Sequence, residues 1–307
     1  MSRPVSAKKL LVIVGATAVG KTDVSIQLAR RYQCPILSAD SRQCYKELGI
    51  ATAKPSAEVR EEIPHYFIDS HSIHQPVTVV DFERFALDTL KVVFRKQDYC
   101  TMTGGSGLYV KAALEGLDPI PEVPDSIINN LEDRLKHQGL KDLVEELGKL
   151  DADVINTIDL HNPRRVVRAL AVCRSTGKPY SSFRTGEKKE RSFEIIKIGL
   201  KRDRDELYHR INSRMDHMIE QGLFNEARDL YDYRGQPALQ TVGYQEIFAY
   251  LDGQYNYQEA VRLLKRNSRR YAKRQLTWFG KDQSVHWFHA DDLQAITDFV
   301  DQVVAVS

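Results

Sequence analysis

The chain has 307 residues, which allow one large domain or two small ones with a substantial core. Its net charge of +2 at pH 7 gives no global basic signal, so any nucleic-acid site must come from local clusters of charge. The four cysteines are far apart and form no C-x-x-C pair, which argues against zinc and disulfide frameworks and favours a reducing cytoplasm.

The beginning of the chain, Met1–Lys9, leads directly into a predicted strand and leaves no room for a signal peptide. No apolar run approaches the roughly 18 residues that are needed to span a bilayer. We therefore expect a cytoplasmic protein without membrane contact.

A glycine loop between a strand and a helix is the most informative segment. Apolar residues 10–14 predict a buried strand, and residues 23–31 have the apolar spacing of a helix. The loop between them matches G-x-x-x-x-G-K-[ST], the P-loop pattern, whose backbone N–H groups bind two linked phosphates. It comprises Gly15, Ala16, Thr17, Ala18, Val19, Gly20, Lys21 and Thr22. The pattern predicts a substrate with a diphosphate or triphosphate, and the alternative is an ordinary glycine turn.

Strands and helices alternate through the first third of the chain. Strands are predicted at Lys9–Val14, Pro35–Ala39, Tyr66–Ile68 and Tyr99–Thr103, and a helix begins near Asp81. Such alternation predicts a parallel sheet with helices on both faces, in which ligands lie beyond the carboxyl ends of the strands.

The proline-rich residues 118–124 end this alternation. Helices are predicted next at Asp125–Gln138, Leu140–Leu150 and Pro163–Thr176. The remaining predicted elements are a strand at Phe193–Leu200 that rejoins the sheet, helices at Asp203–Gln221 and Tyr257–Phe279, and a last strand at Val285–Phe288. The predicted fold is α/β, a P-loop NTPase-like parallel sheet with flanking helices (residues 1–118 and 192–307) and an all-helical insertion (residues 119–191).

Polar or glycine residues follow two of the predicted strands. Asp40, after the second strand, can accept a proton from a nucleophile or hold Mg²⁺ through water, and the alternative is a helix cap. After the fourth strand, Thr103 and three glycines stand where nucleoside-triphosphate hydrolases usually have a Mg²⁺-binding aspartate. Glycines let backbone N–H groups approach a ligand, although a flexible turn is the alternative. The missing carboxylate argues against ATP hydrolysis.

Basic residues cluster on three predicted helices. Arg210 and Arg214 share a helix face and can clamp a phosphate leaving group, or form surface ion pairs. The helix 257–279 carries a basic stripe over about 18 Å, and the insertion carries a second cluster. The stripe comprises Arg262, Lys265, Arg266, Arg269, Arg270, Lys273 and Arg274, and the cluster comprises Arg164, Arg165, Arg168, Arg174 and Lys178. The stripe predicts polyanion binding, with a solvated face as the alternative, and Leu264, Tyr271 and Trp278 are expected to face a core.

Seven motifs, in this order, resemble the tRNA dimethylallyltransferase (tRNA isopentenyltransferase) family in its bacterial form. They are Gly15–Thr22, Asp40–Tyr45, Ile50–Pro55, Gly104–Tyr109, Asn162–Leu170, Thr241–Glu246 and Arg270–Trp278. The resemblance implies transfer of a dimethylallyl group from dimethylallyl diphosphate to N6 of the adenosine immediately 3′ of a tRNA anticodon, giving N6-isopentenyladenosine.

The resemblance also implies roles for individual residues. Asp40 is the implied general base and acts with Ser106 near the target base and Arg214 on the diphosphate. The P-loop binds the diphosphate, and Thr22 with water completes a Mg²⁺ site. Contacts with the anticodon stem-loop are implied for Asp40, Ser41, Arg42, Gln43, Ser106, Arg164, Arg165, Val166, Val167, Arg168, Gln240, Thr241, Val242, Gly243, Tyr244 and Gln245. We expect a monomer.

Three positions depart from the family pattern. Ser106 stands where the family more often has Thr, Ala51 replaces the usual Gly, and Ile128 falls where relatives often have a tRNA-contacting Arg. Three other functions stay open: an ATP-dependent small-molecule or nucleotide kinase, a non-catalytic RNA-binding NTPase, and the adenylate-type transferase that makes free cytokinins. Chains of that last type lack the helical insertion.

Overall fold

A computed structural model describes residues 8–306, so the segment before Lys8, on which the absence of a signal peptide was predicted, lies outside the described residues. Within this range one parallel sheet has the strand order β3-β2-β4-β1-β5-β6. Its strands are β1 (Lys9–Gly15), β2 (Ile36–Ser38), β3 (His65–Tyr66), β4 (Tyr99–Gly104), β5 (Glu194–Lys201) and β6 (His286–His289). The predicted α/β sheet is confirmed, including the return of the chain after the insertion to pair with β1.

Twelve α-helices lie in the described residues. They are α1 (Lys21–Arg31), α2 (Ala57–Glu62), α3 (Val79–Val93), α4 (Gly107–Glu115), α5 (Asp125–Gln138), α6 (Leu140–Leu150), α7 (Pro163–Thr176), α8 (Arg204–Glu220), α9 (Leu223–Asp229), α10 (Gln245–Leu251), α11 (Tyr257–Phe279) and α12 (Leu293–Val306). The bounds of α5, α6, α7 and α11 agree with the prediction. At α7 the local caps explain the agreement. Asn162 accepts a hydrogen bond from the Arg165 N–H at the start of α7, and Gly177 ends that helix with a left-handed conformation.

The central strand β1 is buried along its whole length because neighbouring strands flank both edges and helices cover both faces. Parallel strands of this kind end at one edge of the sheet. The ends of β1, β2 and β4 therefore present the P-loop, Asp40 and Gly104 at the same edge.

The third strand is shorter than predicted and begins one residue earlier. Phe67 has a φ of 64°, so the extended backbone stops after Tyr66. The turn buries the Phe67 ring against Phe82 and Phe85. Packing of this aromatic cluster therefore overrides the local preference for a strand at Tyr66–Ile68.

The described chain divides into two compact units. One is Gly116–Lys189, the helical insertion, and the other contains the sheet. The insertion has its own apolar core, in which Leu131, Leu143, Leu147 and Leu170 are fully buried. A buried carboxylate, Asp151, accepts hydrogen bonds from the Ser181 N–H and hydroxyl and supports this core. In the part of the chain that the structure describes, no helix is both long enough and apolar enough to cross a bilayer.

Candidate active site

The P-loop connects β1 to α1 in the arrangement that its sequence predicts. Gly15 has a φ of 149°, and a Cβ atom there would lie 2.8 Å from the Leu200 carbonyl oxygen, so only glycine fits. Lys21 Nζ donates to the carbonyl oxygens of Gly15 (3.1 Å) and Ala16 (2.7 Å). The ammonium group is thereby held at the mouth of the loop.

Lys21 and Arg214 place two cations in the lining of one cavity. Burial and, to a smaller extent, the nearby Arg214 lower the pKa of Lys21 to about 8, and Asp40 opposes the shift. Burial also lowers the pKa of Arg214, again against the effect of Asp40. Arg214 makes no salt bridge with any described residue, so an anionic ligand is the missing partner that this site can accept.

Asp40 lies just after β2, where the chain enters a turn and not a helix, so the helix-cap alternative is wrong. Its Oδ1 closes this turn by accepting hydrogen bonds from the backbone N–H groups of Arg42 (2.8 Å) and Gln43 (3.3 Å). Its Oδ2 receives no hydrogen bond from the residues that the structure describes. The turn therefore accounts for one oxygen, and the other is available as a proton acceptor.

The glycines after β4 make room for protein neighbours. A Cβ atom on Gly104 would lie 2.2 Å from the Ala39 carbonyl oxygen, and one on Gly105 would lie 2.1 Å from Gln275 Nε2. A Cβ atom on Gly107 would lie 2.2 Å from the Trp278 ring. Protein atoms thus fill the space that a side chain would occupy. Gly104 and Gly105 also line the cavity beside the P-loop, so the approach of their N–H groups to a ligand stays a prediction.

Ser106 connects this glycine segment to the segment after Asp40. Its hydroxyl accepts a hydrogen bond from the Ser41 N–H (3.0 Å), and its own N–H donates to the Ala39 carbonyl (3.3 Å). Gln43 is likewise held by protein, since its amide nitrogen donates to the Thr52 carbonyl (3.2 Å) and its oxygen accepts from Ser38. Both side chains therefore shape the site through internal contacts in this state.

Two adjoining cavities meet at Asp40. The polar cavity, about 370 Å³, is lined by the P-loop, Asp40, Gly105, Arg214 and Gln275, among others. The second cavity, about 110 Å³, is called the apolar cavity after the wall formed by Ile211, Met215, Met218, Leu223 and Val242, and its lining also includes Asp40, Arg42, Arg214 and several hydroxyl side chains. Because Asp40 and Arg214 line both, the chemistry of the site lies where a phosphate-binding region joins an apolar one.

The predicted segment 240–245 borders the apolar cavity. Thr241, Val242, Gly243 and Tyr244 line it, whereas Gln240 and Gln245 hydrogen-bond to each other through their side chains. The Tyr244 ring is buried and its hydroxyl donates to Glu226 Oε1 (2.6 Å). Val242 and Tyr244 therefore help to form the cavity wall.

Glu226 is a residue that the sequence analysis missed. It accepts hydrogen bonds from the backbone N–H groups of Gly49, Ile50 and Ala51 as well as from Tyr244. This carboxylate holds the turn that contains Ala51 against the segment 240–245. Its position in an ordinary amphipathic helix gives no sign of that role.

The basic stripe on α11 divides into two parts. Arg262 and Lys265 pair with Glu259 and Asp216, whereas Arg270 and Lys273 are exposed and form no salt bridge within the described chain. The alternative of a solvated, ion-paired face therefore holds for the first part, and an exposed cationic surface remains at the second.

The prediction that Leu264, Tyr271 and Trp278 all face a core is only partly correct. Leu264 is fully buried, but Tyr271 lines both cavities and Trp278 is 42% exposed. The Trp278 ring covers Gly107 at the start of α4 and leaves its outer side in solvent. The helix thus turns Tyr271 toward the site and leaves Trp278 partly in solvent.

The predicted insertion residues differ in exposure. Arg164 and Arg165 are exposed and Arg168 donates to the Pro121 carbonyl, whereas Val166 and Val167 are packed in the core of the insertion. Ile128 packs against the same core. The arginines are therefore the side chains on this helix that an external partner can reach.

Comparison with known proteins agrees with the geometry. The family model described as IPP transferase matches residues 43–282. A tRNA dimethylallyltransferase from Cytophaga hutchinsonii is 51% identical over 294 residues, which cover 96% of this chain and 97% of the relative. The crystal structure of the tRNA isopentenylpyrophosphate transferase from Bacillus halodurans has a TM-score of 0.72 at 36% identity and covers 97% of both chains. A eukaryotic dimethylallyltransferase acting on tRNA has a TM-score of 0.77 at 25% identity, covering 94% of this chain and 75% of that one. The chain therefore belongs to the IPP transferase family.

Proposed function

We propose that the protein transfers a dimethylallyl group from dimethylallyl diphosphate to N6 of the adenosine immediately 3′ of a tRNA anticodon. The observation that carries this proposal is the position of Asp40 where the polar and apolar cavities meet, beside Lys21 and Arg214. The family's relatives and solved structures support it through their tRNA-directed activity.

The two cavities suit the two halves of such a donor. Backbone N–H groups of the P-loop, Lys21 and Arg214 would bind the diphosphate. The apolar cavity of about 110 Å³ would hold the five-carbon group, since an apolar cavity of roughly 150 Å³ can hold benzene. A kinase would need no apolar cavity beside its general base, so the paired cavities favour prenyl transfer.

The reaction can be written with every atom assigned. The N6 amine attacks the allylic carbon, the carbon–oxygen bond breaks, and its electron pair leaves with the diphosphate. Asp40 Oδ2 accepts the proton that N6 loses. Lys21 and Arg214 stabilise the negative charge that grows on the leaving group, which is the main electrostatic demand of the step.

Mg²⁺ fits this site as a partner of the diphosphate. Thr22 lines the polar cavity and supplies a hydroxyl, and no group of three metal-binding His, Cys, Asp or Glu residues occurs in the described chain. Mg²⁺ commonly uses one or two protein ligands together with phosphate oxygens and water. We propose that Thr22 and water hold it and that it neutralises diphosphate charge.

The substrate adenosine must leave the stacked anticodon loop to reach Asp40, as bases do in other enzymes that act on them. Arg42 lines the apolar cavity and Arg164 and Arg165 are exposed on the insertion, so we propose that they contact the RNA. We also propose that Ser41, Gln43, Ser106 and Gln240 to Gln245 shape the surface around the target base, and that the protein acts as a cytoplasmic monomer.

The test is formation of N6-isopentenyladenosine from unmodified tRNA, dimethylallyl diphosphate and Mg²⁺ without ATP, detected by mass after nuclease digestion. The control is Asp40→Asn, which keeps an oxygen for the Arg42 and Gln43 N–H groups but cannot accept the proton. We expect product with the wild-type protein and a loss of about 10²- to 10⁴-fold in kcat with the variant. ATP-dependent phosphorylation of a small molecule without tRNA would support the kinase instead.

A further inference from the structure

Gln275 on α11 forms a bridge between two loops of the site. Its side chain is buried, with 6% exposure. Oε1 accepts a hydrogen bond from the Thr17 N–H (2.8 Å), and Nε2 donates to the Gly105 carbonyl oxygen (2.9 Å). These partners fix the orientation of the amide, because an N–H can only donate and a carbonyl oxygen can only accept.

Each bridged loop carries a different part of the reaction. Thr17 belongs to the P-loop, which would hold the diphosphate. Gly105 precedes Ser106, whose N–H and hydroxyl bind the segment on either side of Asp40. Hydrogen bonds therefore connect the P-loop through Gln275 to Gly105, and from the adjacent Ser106 to Ala39 and Ser41, the two residues that flank Asp40.

The bridge lies beyond the sheet, where strand pairing no longer sets the distance between the P-loop and the glycine segment. The β1–β4 and β2–β4 pairings end at Gly104 and Thr103. Past these positions the amide of Gln275 is the side chain that joins the P-loop to the glycine segment. Gly105 is adapted to it, because a Cβ atom there would lie 2.1 Å from Nε2.

We propose that Gln275 is a positioning residue that fixes the distance between the bound diphosphate and Asp40. This proposal rests on the proposed function. Transfer needs the allylic carbon and the attacking nitrogen in close alignment, and a misplacement of about 1 Å can cost on the order of 100-fold in rate. Loss of the bridge should therefore lower kcat more than it weakens the binding of either substrate.

The discriminating variant is Gln275→Glu, compared with Gln275→Ala. A carboxylate can still accept from the Thr17 N–H, but it repels the Gly105 carbonyl oxygen. A protonated carboxyl group can make both hydrogen bonds, and it forms as the pH falls. Burial, the Gly105 carbonyl and Asp40 favour the protonated form, whereas Lys21, Arg210 and Arg214 of the same cavity oppose it. The kcat of Gln275→Glu, divided by that of wild type at each pH, should therefore rise as the pH falls.

We expect Gln275→Ala to lose about 10- to 100-fold in kcat, with KM for tRNA within about twofold of wild type. Its ratio to wild type should not depend on pH, whereas that of Gln275→Glu should increase as the pH falls. Gln258→Ala is the matched control, since Gln258 is an exposed glutamine in the first turn of the same helix. Thermal unfolding of each variant checks that the fold is retained.

The alternative outcomes are distinct. Wild-type kcat in both folded Gln275 variants, or equal pH dependence of their ratios, refutes the positioning role while the transferase function stands. A loss seen only in KM for tRNA also refutes it. If wild type itself makes no N6-isopentenyladenosine, the proposed function is wrong and this proposal is wrong with it.

Discussion

Binding of dimethylallyl diphosphate should weaken at alkaline pH, because Lys21 loses its proton there. Burial and the neighbouring Arg214 lower the pKa of Lys21 to about 8, well below the ordinary value for lysine. In the free protein the ammonium therefore loses its proton as the pH rises through about 8. A neutral amine cannot pair with the diphosphate, so binding of the donor weakens in that direction.

The size of the effect follows from the titration. One unit above its pKa, about one tenth of a group remains protonated, so kcat/KM for the donor should fall about tenfold per pH unit above pH 8. This parameter reports groups in the free enzyme, whereas kcat at saturating donor should change less. Lys21→Arg removes the slope because a guanidinium stays charged, although its different shape lowers activity at every pH.

The measurement is the initial rate against donor concentration from pH 7 to 9, at saturating tRNA and constant ionic strength. Wild type and Lys21→Arg are compared at each pH. A flat wild-type profile up to pH 9 would show that Lys21 is not the titrating group. The same fall in Lys21→Arg would assign the titration to another group and refute the reasoning.

Three further predictions concern the surroundings of the site. Glu226→Ala removes the acceptor for three backbone N–H groups, so we expect KM for the donor to rise about 5- to 150-fold, since unpaired groups cost roughly 1–3 kcal/mol and about 1.4 kcal/mol is a factor of ten, and an unchanged KM would contradict this role. Arg270→Glu should weaken tRNA binding and reduce the slope of log K against log salt by about one, whereas Arg262→Glu, at a residue already paired with Glu259, should change the slope little; equal slopes would contradict this difference. Leu147→Ala in the insertion core should lower the free energy of unfolding by about 2–5 kcal/mol, as measured by urea denaturation, and a smaller loss would indicate that the core relaxes around the cavity.

The sequence predicts this fold well where the signals are local. The bounds of α5, α6, α7 and α11 follow from apolar periodicity together with caps and prolines that lie within a few residues of the helix ends. The P-loop is equally local, since eight consecutive residues between a strand and a helix define it. Asp40 could be proposed because the end of a parallel strand is a recurrent position for ligands.

The parts that escaped prediction depend on contacts between distant positions. Gln275 meets Thr17 across 258 positions of the chain, and Glu226 meets Gly49 across 177. Glu226 has no unusual neighbourhood in sequence, and the Arg270–Trp278 motif that contains Gln275 does not indicate which residue it contacts. The exposure of Trp278 likewise depends on a contact between distant positions, since its ring packs against Gly107.

The neutral character of Gln275 is consistent with a reaction in which negative charge leaves on a diphosphate. Nucleoside-triphosphate hydrolases usually place an acidic residue after the comparable strand to hold Mg²⁺. Here the corresponding strand ends in Thr103 and Gly104, and an uncharged amide binds the adjacent carbonyl of Gly105. A carboxylate at this point would repel the growing charge of the leaving group, whereas an amide holds the same geometry without adding charge. The absent aspartate and the buried glutamine are therefore two aspects of one electrostatic arrangement, and the base that we propose, Asp40, follows the neighbouring strand.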